Sequence, residues 1–450
     1  MSHRLLVIGG DAGGMAAAST ARRRGADFEI VALEQGRHTS YSACGIPYVV
    51  SGDVWALEEL VVRTPQQFRD QLRIDVRTGH RAMSIDLDRR MVEVRNVAQE
   101  RTYNLGFDLL HLATGARPLR PPIPGIDGPH VYGVQTLEDA AHLLEAIKAG
   151  HSDKVVVVGG GYIGLELAEA FVKRQASVTV VEQRDEVMGT LDPDMGALVG
   201  AAMRQHGITL HTGEEVTAIE ADAVITDQRS LPADVVILGL GVEPNAGLAA
   251  EAGLALGVKG AVAVDRRQRT SIEGIWAAGD CCQSRSVVTG EPVYVALGTV
   301  ANKQARVAGI NMAGGYATFA GVAGTAITKL CSLEIGRTGV NEREARQANF
   351  EYVVAKVEST TRAGYYPGAA PITVKLLVER ETGRLLGGQV VGHEGTAKRI
   401  DVLATAITAR MTVEDLVYLD LSYAPPFSPL WDPVQQAARR AIGIQEGRSR

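Results

Sequence analysis

Val155-Val156-Val157-Val158-Gly159-Gly160-Gly161-Tyr162-Ile163-Gly164 is the stretch that decides the fold. Four valines make an apolar strand, and the glycines follow the Gly-x-Gly-x-x-Gly pattern of a dinucleotide-binding turn. The first glycine allows the tight turn, the second lets the backbone approach a pyrophosphate, and the third lets a helix pack on the strand. A predicted helix over 165–173 and a strand over 177–181 complete the unit. The alternative is an ordinary β-α-β crossover.

Glu182 ends the second strand of this unit, where a carboxylate accepts hydrogen bonds from an adenosine ribose. A carboxylate at this place repels a 2′-phosphate, so we expect NADH to be preferred over NADPH. Arg184, two residues further on, weakens this preference because a guanidinium pairs with phosphate. NADPH therefore stays a possible second donor.

A related pattern lies near the N-terminus. A strand over 5–8 runs into Gly9-x-Asp11-x-x-Gly14, a small-residue helix is predicted over 15–24, and a second strand ends at Glu34. Asp11 stands where the middle glycine belongs, and its carboxylate repels a pyrophosphate unless the side chain turns away. Two such units in one chain predict two dinucleotide sites.

Two later segments support a nucleotide site in the first unit. The segment 109–116 is a strand that ends in a tight turn at Thr114 and Gly115, and a strand from Ile275 carries Asp280 to its tip. A carboxylate there can bind the ribityl or phosphate hydroxyls of a flavin nucleotide. The alternative for Asp280 is a helix N-cap, and one side chain can do both.

Cys44 stands alone in the segment Ser40-Tyr41-Ser42-Ala43-Cys44-Gly45-Ile46-Pro47-Tyr48. Dithiol flavoenzymes carry a second cysteine five positions on, and Val49 occupies that position here. The thiol must therefore pair with an external sulfur or cycle through sulfenic acid. A helix that begins near Gly45 is expected to lower the pKa of the thiol. The alternative is a buried cysteine that acts as a small hydrophobic residue.

The bulk composition bounds the class of protein. A chain of 450 residues suggests roughly three domains of about 150 residues each. A net charge of -6 and short basic runs argue against a nucleic-acid partner. Four cysteines make no disulfide framework, so we expect a cytoplasmic protein. The sequence predicts neither a signal peptide nor a membrane-spanning helix.

These segments together carry a family resemblance. The chain resembles the FAD-dependent pyridine nucleotide-disulfide oxidoreductases, within them the single-cysteine branch, and most of all the coenzyme A disulfide reductases. The resemblance covers essentially the whole chain and is most specific at 364–368 and 421–427, where Tyr365 and Tyr423 match two tyrosines that reach the partner subunit's active site. It implies FAD, NADH, coenzyme A as substrate or bound adduct, and a homodimer with shared active sites.

The resemblance also implies an α/β fold with two Rossmann-like dinucleotide-binding domains, each of three layers, and an α+β C-terminal dimerisation domain. We expect the FAD-binding domain at 1–116 and 245–320, the NAD(P)H-binding domain at 117–244 and the dimerisation domain at 321–450. Antiparallel strands are expected at 373–379 and 386–391, with helices at 399–410 and 434–441.

The residues that the resemblance assigns fall into four groups, and no metal ligand is among them. The expected catalytic residues are Cys44, Tyr365 and Tyr423. The expected FAD-binding residues are Gly9, Gly14, Glu34, Gln35, Ala82, Ala113, Thr114, Gly115, Asp280 and Ala296. The expected NAD(P)H-binding residues are Gly159, Gly161, Ile163, Gly164, Glu182 and Gly241. The expected substrate contacts are Arg23, Ser40 and Asn302.

The chain departs from its relatives at a few positions. NADH oxidases and peroxidases, the alternative branch, use a histidine in the first glycine turn, and Ala12 stands at that position. The coenzyme A reductases usually carry Asn, Lys and Gln where this chain has Ala43, Trp431 and Thr20. A coenzyme A persulfide or another small disulfide therefore stays an alternative substrate. A non-catalytic flavoprotein that senses NADH or thiol state is the alternative from another class.

Overall fold

The computed structural model describes residues 3–25, 27–150 and 152–447. Its described part contains three five-stranded sheets, two of them parallel and one antiparallel. Smaller antiparallel sheets flank the two parallel ones. No helix among the described residues is both long and apolar enough to cross a membrane.

The first parallel sheet holds the N-terminal glycine turn. Its strands, in spatial order, are Ile275–Ala277, Leu109–Leu112, Arg4–Ile8, Glu29–Glu34 and Ile74–Thr78. The helices Ala12–Arg23 and Gly298–Met312 cover one face, and the antiparallel strands His80–Asp86, Met91–Asn96 and Arg101–Gly106 cover the other. The layers are thus helix, parallel sheet and antiparallel sheet. The helices Pro65–Leu72 and Gly247–Glu251 contribute Phe68 and Ala249 to this core, whereas the helix Ile46–Ser51 packs into the core of the second parallel sheet.

The second parallel sheet repeats this plan. Its strands, in spatial order, are Thr209–Thr212, Ser177–Glu182, Lys154–Val158, Val235–Leu238 and Val131–Tyr132. The helices are Leu137–Lys148, Tyr162–Lys173 and Pro193–Gln205. The small antiparallel sheet is formed by Val216–Ile219, Ala223–Thr226 and Ser230–Pro232.

The valine run of the opening segment folds as a strand that is buried on both faces. Val155 packs in a cluster with Phe171 of the fingerprint helix, whereas its neighbour Val156 packs in a cluster with Ile219 of the small sheet. Both valines are 1% exposed. A strand covered on both sides needs apolar residues at every position, which is why the sequence shows an unbroken run here.

The third sheet is antiparallel, with the order Ala326–Leu330, Leu333–Gly339, Leu385–Gly392, Pro371–Glu379 and Tyr352–Thr360. The helices Glu342–Gln347, Ile400–Thr408, Val413–Val417 and Pro433–Gln445 accompany it. The predicted strands at 373–379 and 386–391 and helix at 434–441 lie within these elements. The predicted helix at 399–410 starts as the 3-10 turn Ala397–Arg399 and continues as an α-helix.

A two-stranded ribbon links the two parallel sheets. Ala116–Pro118 pairs antiparallel with Val242–Pro244, so the chain leaves the first unit and returns to it side by side. The strand Ile275–Ala277 then joins the first sheet. The domain boundaries at 116, 244 and 320 stay predictions, and this topology is compatible with them.

Candidate active site

The second glycine turn has the geometry that its residues predict. Gly159 has a φ of 101°, and a Cβ there would lie 2.6 Å from the carbonyl oxygen of Gly239. A Cβ on Gly164 would overlap the carbonyl of Gly159, so the helix approaches the strand more closely than any other residue allows. Gly161 is the N-cap of the helix and Ile163 lies in its first turn. The free N–H groups of that turn can receive a pyrophosphate.

Glu182 is fixed at the end of its strand by backbone donors. The N–H of Gly160 donates to its Oε2 at 2.9 Å, and the N–H of Arg184 donates to Oε1 at 3.0 Å. The residue is 8% exposed. Arg184 itself is exposed, and its guanidinium lies over Gly189. Gly241, with a φ of 91°, lies in the turn between the strands Val235–Leu238 and Val242–Pro244.

The first glycine turn reproduces this arrangement. Gly9 has a φ of 114°, and a Cβ there would overlap the carbonyl of Ala113, while one on Gly14 would overlap Gly9. The N–H groups of Gly10 and Gly36 donate to the two oxygens of Glu34 at 2.8 and 2.7 Å. Each parallel sheet therefore presents a glycine turn beside a held carboxylate.

The side chain of Asp11 is directed at the segment that carries Cys44. Its Oδ1 accepts a hydrogen bond of 3.2 Å from the N–H of Tyr41. Burial, followed by the carboxylates of Glu34 and Asp280, raises the pKa of Asp11 to about 6. The middle-glycine position thus tolerates an aspartate because its side chain is directed at the Cys44 segment.

The position of Asp280 contradicts a role as a helix N-cap and is compatible with a role in flavin binding. No helix begins at this residue in the described structure, so the alternative of a helix N-cap is wrong: the strand Ile275–Ala277 is followed by a turn. Its Oδ1 is buried and has no hydrogen-bond partner among the described residues, and burial raises the pKa of the carboxyl to about 6. A buried acceptor without a donor fits a cofactor hydroxyl. The residues present therefore fit a flavin nucleotide in the first unit.

The turn at Thr114 and Gly115 is tied to the ribbon between the sheets. The hydroxyl of Thr114 donates to the carbonyl of Asn245 at 2.5 Å, and the side-chain amide of Asn245 donates back to the carbonyl of Thr114 at 3.0 Å. The N–H of Asn245 donates to the carbonyl of Gly115 at 2.9 Å. These three hydrogen bonds hold the Thr114–Gly115 turn in place next to the first glycine turn.

The structure gives three further expected FAD contacts the following positions. Gln35 is exposed after the strand that ends at Glu34, and Ala82 lies at a bulge in the strand His80–Asp86. Ala296 is half-buried and precedes the helix Gly298–Met312.

Cys44 lies in the 3-10 turn Ala43–Gly45, immediately before the helix Ile46–Ser51, and its thiol keeps contact with solvent. A Cβ on Gly45 would overlap Cδ2 of Leu60, so a larger residue beside the thiol would have to displace that side chain. The chain thus brings an accessible sulfur to the edge of the first nucleotide cleft.

The expected lowering of the Cys44 pKa is wrong in direction. Desolvation by the surrounding protein raises the pKa of the thiol, and the carboxylates of Glu166 and Asp280 raise it further. The backbone N–H of Cys44 acts in the opposite direction, as a helix start should, but its effect is smaller. In the protein without cofactors the carboxylates and desolvation therefore outweigh the short helix.

Glu166 is a residue of this site that sequence reasoning missed. It lies on the fingerprint helix and accepts a hydrogen bond of 2.9 Å from the hydroxyl of Thr328 in the third sheet. Burial is the largest cause of its raised pKa. An acidic residue between Leu165 and Leu167, in a largely apolar helix, was the signal that could have found it.

The three expected substrate contacts do not meet in a common hydrogen bond among the described residues. Ser40 adopts a φ of 51° and donates its N–H to the carbonyl of Gly10 at 2.9 Å, so it borders the first glycine turn. Arg23 and Asn302 are exposed on the two helices that cover the first sheet. Thr20 instead packs against Gly309 between these helices.

Tyr365 and Tyr423 come together at the surface of the third domain. The N–H of Ala363 donates to the carbonyl of Pro425 at 3.0 Å, which joins their two segments. A side-chain hydrogen bond with Tyr423 is the largest cause of the raised pKa of Tyr365. The two rings are 78% and 46% exposed. No hydrogen bond in the described chain joins either hydroxyl to its own Cys44.

Two protein-family models match this chain. The family model of the pyridine nucleotide-disulphide oxidoreductases matches residues 3–312, and that of the family's dimerisation domain matches residues 325–433. The chain belongs to the pyridine nucleotide-disulphide oxidoreductase family.

Several members of this family resemble the chain over nearly its full length. The CoA-dependent NAD(P)H sulfur oxidoreductase of Pyrococcus furiosus is 38% identical over 97% of this chain and 98% of its own. The coenzyme A disulfide reductase of Staphylococcus aureus is 30% identical over 97% of this chain and 99% of its own. The structure of an NAD-dependent persulfide reductase from A. fulgidus superposes with a TM-score of 0.95 at 41% identity, over 99% of this chain and 84% of that one.

Membership of the pyridine nucleotide-disulphide oxidoreductases confirms the fold class, the resemblance and the expectation of an oxidoreductase. This family uses FAD and NAD(P)H, and its dimerisation domain coincides with the third sheet. The roles of individual site residues stay predictions.

Proposed function

We propose that the protein is an FAD-dependent NAD(P)H oxidoreductase that reduces coenzyme A disulfide or coenzyme A persulfide through a mixed disulfide at Cys44. The observation that carries the proposal is the thiol of Cys44, the exposed one of the four cysteines that the structure describes, beside the first glycine turn. The other three cysteines are also free thiols: Cys281 and Cys282 are buried in the core of the first domain, and Cys331 is half-buried in the third, so Cys44 forms no internal disulfide in this structure. Relatives whose names specify CoA-linked sulfur substrates support the choice of substrate.

Each cofactor has a set of residues that would hold it. Glu34, the first glycine turn, Thr114 and Asp280 would hold FAD, whose chemistry is the transfer of an electron pair between a nicotinamide and a disulfide. Glu182 and the second glycine turn would hold NADH or NADPH. Arg23, Ser40 and Asn302 would contact the coenzyme A moiety.

The thiol chemistry balances without a second protein cysteine. The Cys44 thiolate attacks one sulfur of the substrate disulfide, a new S–S bond forms, and one coenzyme A leaves as its thiolate. The electron pair of NADH then splits the mixed disulfide, which returns the Cys44 thiolate and releases the second coenzyme A thiolate. Tyr365 and Tyr423 of a second copy of this chain would orient the substrate and donate a proton to the leaving sulfur.

Cys44→Ser tests this function. The variant is expected to bind FAD and accept hydride from NADH, yet to lose reduction of coenzyme A disulfide, because an alcohol cannot form the mixed disulfide. Cys331→Ser is the matched control and is expected to keep the activity. Disulfide turnover at the wild-type rate in Cys44→Ser would contradict the mechanism.

A second measurement separates the alternatives. Mass spectrometry of the non-reduced wild-type protein is expected to find coenzyme A on Cys44, and anaerobic NADH oxidation is expected to continue only after a CoA disulfide or persulfide is added. Sustained NADH consumption with oxygen alone would favour the oxidase branch, against which Ala12 in the glycine turn already argues. A flavin that NADH reduces once and no disulfide reoxidises would favour a sensor.

A further inference from the structure

Arg399 lies beneath the two tyrosine segments of the third domain, with a side chain that is 10% exposed. Its Nη2 donates to the carbonyl of Thr361 and to the carbonyl of Phe427, each at 3.0 Å. Its Nη1 donates to the carbonyl of Gly395 at 3.0 Å. One guanidinium therefore holds three stretches of backbone that are far apart in sequence.

Two of these carbonyls belong to the segments that carry Tyr365 and Tyr423. Thr361 begins the loop between the strands Tyr352–Thr360 and Pro371–Glu379, four residues before Tyr365. Phe427 follows Tyr423 by four residues. Arg399 thus fastens the start of one tyrosine loop to the end of the other.

The position of the guanidinium is itself fixed by Asp432. The Nε of Arg399 donates to Oδ2 of Asp432 at 2.8 Å, and the hydroxyl of Ser428 donates to the same oxygen at 3.2 Å. The other carboxylate oxygen accepts from the N–H of Val434 and caps the helix Pro433–Gln445. A buried ion pair contributes little net stability, because desolvation opposes the attraction, but its directed bonds fix geometry.

We propose that Arg399 is a positioning residue for disulfide reduction: it holds Tyr365 and Tyr423 in the mutual geometry that the active site requires. This inference rests on the proposed function, in which the two phenols act on the substrate. This geometry requires arginine, because one planar guanidinium donates all four hydrogen bonds in fixed directions. A lysine ammonium has three donors on a flexible stem and cannot reproduce them.

Arg399→Lys in the full-length holoprotein tests the proposal. Coenzyme A disulfide reduction is expected to fall by about 10- to 100-fold, since misplacement of a reacting group by ~1 Å can cost that much. FAD content and the rate of flavin reduction by NADH are expected to stay at wild-type values. Arg380→Lys is the matched control, because Arg380 lies in the same domain and makes one long bond of 3.4 Å to the carbonyl of Tyr352.

A double-mutant cycle distinguishes positioning from general damage. If Arg399 acts through the phenols, adding Arg399→Lys to a Tyr365→Phe, Tyr423→Phe chain costs no further activity, whereas a merely structural loss adds to it. Asp432→Asn gives a second probe if Arg399→Lys fails to fold, because asparagine still caps the helix but loses the ion pair. Additive losses overturn the positioning role.

The outcomes also separate this inference from the proposed function. Slow turnover in the tyrosine double variant, together with full activity in both Arg399→Lys and Asp432→Asn, overturns the positioning role alone. Full activity in the tyrosine double variant overturns the role of the phenols and the positioning role with it. Slow turnover in both, without additivity, supports both.

Discussion

The buried carboxyl of Asp280 is suited to bind a ligand, and it lowers the stability of the protein without that ligand. Its unpartnered oxygen and raised pKa mean that the folded, cofactor-free protein binds a proton there more tightly than the unfolded chain does. By linkage, the stability from this group is present below the unfolded pKa near 4 and is lost as pH rises to about 6. Above pH 6 the ionised carboxylate destabilises the cofactor-free protein.

Asp280→Asn should therefore change stability and flavin retention in opposite directions. The cofactor-free variant is expected to melt at a higher temperature than wild type at pH 8, with no such gain at pH 4, where both carry a neutral side chain. FAD is expected to dissociate faster from the variant because the acceptor is weaker. Thermal melts at the two pH values and flavin release measured by fluorescence check this, and a lower melting temperature at pH 8 would contradict it.

Glu182 makes a prediction about the reductant. The Glu182 carboxylate is held by two backbone donors, so it cannot easily move aside for a 2′-phosphate. We expect kcat/KM for NADH to exceed that for NADPH by about tenfold or more, or ~1.4 kcal/mol. Glu182→Ala should narrow the ratio, and Glu215→Ala, an exposed position in the same domain, should leave it unchanged. Equal values in wild type would mean that Arg184 governs the choice.

At the scale of elements, the glycine turns could be predicted almost completely from the sequence. At Gly14 and Gly164 the requirement for glycine arises from a backbone contact within the β-α-β unit, and at Gly9 and Gly159 the positive φ of the turn requires it, so local spacing encodes all four. The close approach of Ala113 to Gly9 and of Gly239 to Gly159 comes from a strand outside the unit. Cys44 also lies at a helix start as expected. The pKa of its thiol could not be predicted, because Glu166 and Asp280 approach it from other parts of the chain.

Gly164→Ala tests the close packing of the fingerprint helix on its strand. The added methyl would overlap the carbonyl of Gly159, so we expect a loss of about 1–3 kcal/mol in the free energy of unfolding and weaker NADH binding. Gly247→Ala is the matched control, because a Cβ there meets no atom within 4 Å. Denaturant unfolding and nicotinamide titration measure both effects. A variant as stable as Gly247→Ala would refute the packing argument.

At the scale of the molecule, the third domain exposes an apolar surface that a monomer would leave in water. Its exposed members are Tyr365, Tyr418, Tyr423, Phe427, Leu430 and Trp431. Aromatic side chains are enriched at protein interfaces, so this many exposed ones in one domain favour an interface there. The sequence alone indicated two of these tyrosines through the family resemblance, whereas the others gave no pattern that distinguishes surface from core.

Mixed dimers test whether two chains share each active site. A Cys44→Ser chain combined with a Tyr365→Phe, Tyr423→Phe chain places both defects in one composite site and leaves the other intact. Coenzyme A disulfide reduction is expected to return towards half of the wild-type rate. The control is each variant mixed with itself: the Cys44→Ser homodimer should be inactive, and the Tyr365→Phe, Tyr423→Phe homodimer should keep its slow turnover. Heterodimers that form without regaining activity would place the tyrosines in the site of their own chain.

The late arrival of Ile275–Ala277 in the first sheet has a consequence for biosynthesis. A growing chain presents Leu109–Leu112 with an unpaired edge until residue 277 has left the ribosome, whereas the second sheet draws all its strands from 131–238. Because unpaired edges template aggregation, the nascent first sheet is the stage at which chaperones matter most. Interrupted translation before residue 275 will leave a product that exposes this edge, while the second unit can fold within it.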